Sequence, residues 1–144
     1  MQIFHLSFNK MDINGKWYNE LGSEVEFKVI ENQLTGHYHT AVGDATGIYS
    51  LVGQLNSSLD TGQAIGFVVV WQNEHKDSNS VTCWSGQAQA VDGEDLISTT
   101  WLLTSETEAD DFWESTIVGK DMFRRKPTDK QNVKMGVNAF PKDK

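Results

Sequence analysis

Ala64-Ile65-Gly66-Phe67-Val68-Val69-Val70-Trp71 and, after a polar break, Ser80-Val81-Thr82-Cys83-Trp84 are the stretches that decide the fold class of this chain. β-Branched and aromatic residues dominate both, and neither shows the i, i+3, i+4 recurrence of a helix. In the second stretch Ser80, Thr82 and Trp84 share one face of a strand, and Val81 and Cys83 the other. A face of Ser, Thr and Trp suits a polar-lined pocket better than an oily core. The first stretch is apolar on both parities, whereas a strand with one wet face should alternate. Its outer side is therefore expected to be covered too, which points to a homo-oligomer.

The same pattern extends in both directions, from Gly15 to Phe123. Strands are expected over 15–20, 24–30, 33–40, 47–54, 64–73, 80–90, 96–104 and 113–122, with Gly-, Asn-, Asp- and Ser-rich turn signals between them. Eight short strands with short connections predict an all-β fold, an eight-stranded antiparallel up-and-down β-barrel, because closure removes the exposed sheet edges. Parity groups Trp17, Asn19, Leu21 and Ser23 on one side if the first strand persists, and likewise Tyr38, Thr40 and Val42, then Phe67, Val69 and Trp71, then Trp101 and Leu103. A barrel of this size either fills with side chains or encloses one small ligand. Aromatic walls with convergent hydroxyls and an amide favour the ligand.

Composition narrows the function. At 144 residues the chain is one domain's worth, and 38% hydrophobic residues allow a packed core. Cys83 is the single cysteine, which excludes an intrachain disulfide. The net charge of −8 argues against gripping nucleic acid. It is unevenly spread: residues 124–144 carry seven cations and two acids, a net +5, and the remainder five cations and 18 acids, a net −13. The expected layout is an extension over 1–14, a barrel over 15–123 and a basic tail over 124–144. No window has the length of apolar sequence a membrane span needs, and residues 1–14 lack the pattern of a signal peptide, so the compartment stays open.

Five blocks then carry a family resemblance: Gly15-Lys16-Trp17-Tyr18-Asn19-Glu20-Leu21-Gly22-Ser23; Leu34-Thr35-Gly36-His37-Tyr38-His39-Thr40-Ala41-Val42-Gly43; Thr82-Cys83-Trp84-Ser85-Gly86-Gln87; Trp101-Leu102-Leu103-Thr104-Ser105; and Trp113-Glu114-Ser115-Thr116-Ile117-Val118-Gly119-Lys120-Asp121. Gly15-x-Trp17 alone also occurs in lipocalins. Five blocks in order, with all five tryptophans at family positions, resemble the avidin and streptavidin family of biotin-binding proteins over residues 15–123.

The resemblance implies a role for each matched position. Asn19, Ser23 and Tyr38 would donate to the ureido oxygen of biotin, while Thr40 and Asp121 would accept from its two ureido N–H groups. Thr82 would lie by the ring sulfur, and Ser80 with the backbone N–H of Asp44 would receive the valerate carboxylate. Trp71, Trp84 and Trp101 would wall the ligand, with Leu21, Val42, Gly43 and Leu103 completing the lining. Residues 40–47 would form a lid. Trp113 resembles the tryptophan that reaches into a neighbouring subunit's site, which implies a homotetramer. Trp17 would be structural and Cys83 a buried, inert interface residue. Asp44 departs from the asparagine of streptavidin, placing a negative charge near a ligand carboxylate.

Taken singly, Asn19, Ser23, Thr40 and Thr82 are ordinary strand-end and turn residues; their joint spacing and parity give them meaning. The alternative of a lipocalin-like carrier for another small apolar ligand calls for a mostly apolar interior. An enzyme would need a constellation such as G-x-S-x-G or H-E-x-x-H, and the chain has neither. No metal, catalytic residue or cofactor is expected, since His37 and His39 form the one close histidine pair. Residues 137–141 of the tail could lie across a neighbour's pocket mouth, in which case truncation after Lys126 would speed biotin uptake.

Overall fold

The computed structural model describes residues 11–40, 47–56, 62–72 and 79–127. Eight antiparallel strands follow one another around a closed barrel: β1 Gly15–Tyr18, β2 Glu24–Ile30, β3 Gln33–His39, β4 Ile48–Leu55, β5 Gly62–Trp71, β6 Ser80–Val91, β7 Glu94–Ser105 and β8 Thr116–Arg124. Each pairs with its sequence neighbour, and β8 returns to β1 through the single register pair Tyr18↔Arg124. The expected up-and-down barrel is the observed one. The extension before residue 11, the lid residues Val42, Gly43 and Asp44, His75 and the tail from residue 128 lie outside the described residues.

Alternation along the strands builds the interior. On β5, Gln63, Ile65, Phe67, Val69 and Trp71 are buried, and on β6, Thr82, Trp84 and Ala88. Phe67 links the two parts of the core: it packs edge-on against Phe27 and Phe123 and stacks on Trp84 at 5.1, 6.2 and 4.8 Å between centroids. In an up-and-down barrel the β1–β2, β3–β4, β5–β6 and β7–β8 connections share one end. The opposite end carries the tight turns, such as Asp92-Gly93, where both residues have positive φ (52° and 79°) and pairing runs up to Val91↔Glu94. A two-residue turn of this kind matches the twist of its strands, which is why β7 starts at Glu94, inside the stretch read as a turn from sequence.

The packed unit runs beyond the expected bounds of 15–123 at both ends. Ile13 is buried in the core, and Trp17 Nε1 donates to its carbonyl at 2.9 Å. Arg124 ends β8 and pairs with Glu94 at 2.7 Å. Arg125 lies 3.8 Å over the Trp17 ring and donates to the carbonyls of Asp12, Asn14 and Lys16. These two cations, counted with the tail from sequence, seal the barrel's base.

Two strand readings need correction. β1 ends at Tyr18, and the β8 candidate begins in a 3-10 helix, Ala109–Glu114, that carries Trp113. With Asp110, Asp111 and Glu114 close together and no alternating face, this segment has no strand register to join. Val52, Val70, Leu102 and Val118 are exposed on the outside, as is Cys83. Cys83 faces outward from β6, as its parity with Val81 gave, and its expected burial is against another subunit. No helix among the described residues is long and apolar enough to cross a membrane.

Candidate functional site

The turn after β1 creates the first part of the site. Although the strand stops at Tyr18, Asn19, Leu21 and Ser23 are all buried, because the turn folds back on itself: Asn19 N donates to Ser23 O at 3.0 Å and Gly22 N to Asn19 O at 3.1 Å. Asn19 Oδ1 accepts from two backbone amides, Leu21 N at 3.0 Å and Ser23 N at 2.8 Å. With the oxygen committed to the backbone, the amide nitrogen has to point into the barrel, where Nδ2 donates to Tyr38 OH at 3.3 Å. A buried donor whose direction is fixed by the backbone is a preorganised partner for a ligand oxygen. Burial, and after it the negative charge of Asp121, pushes the Tyr38 phenol well above its ordinary value, so it remains a hydroxyl.

Beside the turn, β8 brings Asp121 inward. Its Oδ2 accepts from Trp84 Nε1 at 2.9 Å, its backbone carbonyl from Thr99 Oγ1 at 3.0 Å, and its Oδ1 is buried with no hydrogen-bond donor assigned to it. Burial raises this carboxyl to about 7; Glu20 pushes in the same direction through its charge and a hydrogen bond, while Trp84 and Asn19 pull the other way.

Aromatic rings enclose the polar set. Tyr38 stacks on Trp84 at 5.1 Å and meets Trp71 edge-on at 5.4 Å, and Trp71 and Trp84 stand 6.2 Å apart at 70°. Trp71 is held by its own hydrogen bond, Nε1 to Thr82 Oγ1 at 2.7 Å, and by the edge of Tyr49 at 5.0 Å. Tyr49 is in turn tied through its hydroxyl to Gln72 O at 2.6 Å. Trp101 lies flat across Gly119, its register partner on β8, and a Cβ at that glycine would fall inside the indole.

Of the residues singled out from sequence, Asn19, Leu21, Ser23, Tyr38, Trp71, Thr82, Trp84, Trp101 and Asp121 are brought together in the interior. Thr40, Ser80 and Leu103 are half-buried towards the open end. Trp113 is 74% exposed and takes no part in this buried set. Three contributors went unnoticed in the sequence. Glu20 accepts from Met122 N at 2.9 Å beside Asp121, Thr99 fixes the Asp121 backbone, and Tyr49 braces Trp71. The inward parity of Thr99, shared with Trp101, could have revealed it; nothing in a turn sequence signals that Glu20 reaches β8, the strand that closes the barrel against β1.

The profile of the Avidin family matches residues 7–126. Avidin of Gallus gallus is 34% identical over 135 residues, covering 88% of this chain and 86% of avidin. Afifavidin of Afifella pfennigii is 34% identical over 104 residues, 67% of this chain and 60% of the relative. Fibropellin-1 of Strongylocentrotus purpuratus is 33% identical over 119 residues, 79% of this chain but 11% of fibropellin-1. The chain thus spans most of avidin and a small part of that larger relative.

Proposed function

The chain belongs to the avidin family, and we propose that it is a non-enzymatic binder of biotin that works as a homotetramer. The observation carrying this reading is the orientation of Asn19: both backbone bonds on its oxygen turn its amide nitrogen into the barrel interior, onto Tyr38 and among the buried aromatic rings. Asn19, Ser23 and Tyr38 donate to the ureido oxygen. Asp121 and Thr40 accept from the ureido N–H groups, the former with the added strength of a carboxylate acceptor. Thr82, already fixed by Trp71, lies by the ring sulfur. Trp71, Trp84 and Trp101, with Leu21, Val42, Gly43 and Leu103, cover the ring system and alkyl chain, and Ser80 and Asp44 N–H receive the carboxylate at the mouth.

The polar interior argues against a lipocalin-like carrier, whose lipophilic ligand would leave Asn19, Thr82 and Asp121 desolvated and unmatched. The exposed Val52, Val70, Leu102 and Val118 support packing against further copies, and the solvent-facing Trp113 supports a reach into a neighbour's mouth. Because the donors are already in place, association loses little to ordering.

Thermal unfolding with and without biotin tests the reading. A ligand present at about 1,000 times its Kd adds about 4 kcal/mol to stability, which raises Tm by about 10 °C for a chain of this size. No upward shift in excess biotin overturns the proposal.

A further inference from the structure

β1 stops at Tyr18 and meets β8 at one register pair, so among the described residues most of the β8 edge on that side of the barrel has no strand to bond. Glu20 fills part of this seam: its Oε2 accepts the backbone N–H of Met122 at 2.9 Å. That bond fixes a half-buried carboxylate next to Asp121, the residue before Met122. Asp121 has one oxygen satisfied by Trp84, and its other oxygen, Oδ1, is buried with no donor assigned to it. The titratable groups facing it are Glu20 from the β1–β2 turn and Tyr38 from β3; β6 and β7 present Trp84 and Thr99, both uncharged, and the turn adds the Asn19 amide. No cation is in this set. Two carboxylates confined together in a buried seam repel each other, and the repulsion is relieved when one takes up a proton.

We propose that Glu20 is a positioning residue of the site: it orients Asp121 by accepting a proton that Asp121 carries in the free protein, and a ligand N–H accepted by Asp121 expels that proton to solvent. The inference rests on the biotin reading. It makes binding a proton-releasing event: an ionised carboxylate accepts a ligand N–H more strongly than the protonated carboxyl does, so binding favours the form without the proton. Because burial and Glu20 raise the carboxyl to about 7, affinity falls as pH drops below that value, by up to about tenfold per pH unit.

The test uses the full chain and Glu20→Gln. The glutamine oxygen can still accept from Met122 N and its amide can donate to Asp121 Oδ1, so the seam is kept while the proton is no longer required. In the first arm, without ligand, carbon-detected NMR follows the Asp121 carboxyl through a pH titration. The expected midpoint is near 7 in the native chain and falls towards the ordinary carboxylate range in Glu20→Gln; the same midpoint in both overturns the role of Glu20. In the second arm, biotin is titrated calorimetrically at about pH 6 in two buffers of different ionisation enthalpy. The native chain is expected to release close to one proton per site, and Glu20→Gln measurably fewer, since burial remains but the Glu20 charge is gone. Biotin binding by the native chain without proton release overturns the inference and leaves the functional reading standing. No binding of biotin at any pH removes the functional reading instead, and the first arm still decides Glu20. A merely structural Glu20 would alter stability without moving either titration.

Discussion

Replacing Asp121 by Asn separates what the buried carboxyl costs the free protein from what it does for the ligand. In the folded chain Asp121 titrates at about 7, against an ordinary value of 3.8, with burial the largest cause. A carboxyl raised on folding holds its proton more tightly in the folded state. Its contribution to stability is fully present below the unfolded value and is lost as pH rises through the folded one. A gap of about three units at about 1.4 kcal/mol each gives roughly 4 kcal/mol lost between about pH 4 and pH 8. Asn cannot ionise, and its amide fits the same surroundings, with its oxygen accepting from Trp84 and its nitrogen donating to Glu20. Urea unfolding at a series of pH values and one protein concentration should show the stability of Asp121→Asn relative to the native chain rising by about 1.4 kcal/mol per unit through the middle of this range, and levelling off above about pH 7.5. The same variant should bind biotin about 100-fold more weakly, because an amide nitrogen then opposes a ureido N–H. A stability difference that does not change with pH would refute the claim that this carboxyl is ionised at the expense of the fold.

Gly119→Ala drives a methyl into the Trp101 indole, so we expect a loss of about 1–3 kcal/mol in urea unfolding and weaker biotin binding as that wall shifts. Arg125→Ala removes the cation over Trp17 and its bonds to the carbonyls of Asp12, Asn14 and Lys16. It should cost about 2 kcal/mol in urea unfolding and leave biotin affinity unchanged, since the contacts it loses are at the base of the barrel.

Much of this architecture was legible because a strand's faces repeat every two residues. Parity alone identified the inward positions Phe67, Val69 and Trp71, then Thr82 and Trp84, then Trp101, and all six are buried. It failed where the backbone stops being a strand. Trp113 was read as the start of the last strand and sits in a 3-10 helix. Asn19, Leu21 and Ser23 were grouped on the assumption that β1 continues; they do share the interior, but through a turn in which the Asn19 side chain replaces strand hydrogen bonds. The base was misjudged for a related reason. Arg124 and Arg125 look like the first residues of a basic tail when charges are counted along the chain, and only the folded barrel pairs Arg124 with Glu94 and lays Arg125 over Trp17.

Local chemistry written in the sequence was enough to determine an all-β chain, a closed barrel, and an interior with aromatic walls and polar groups, because alternation and turn residues act over a few positions. The protonation of Asp121, the direction of the Asn19 amide and the part played by Glu20 were decided by tertiary structure alone. Each depends on groups brought together from opposite ends of the chain: Glu20 meets Met122 across 102 residues and Trp84 meets Asp121 across 37. Desolvation and charge act through space, and the closing of β8 onto β1 defines that space.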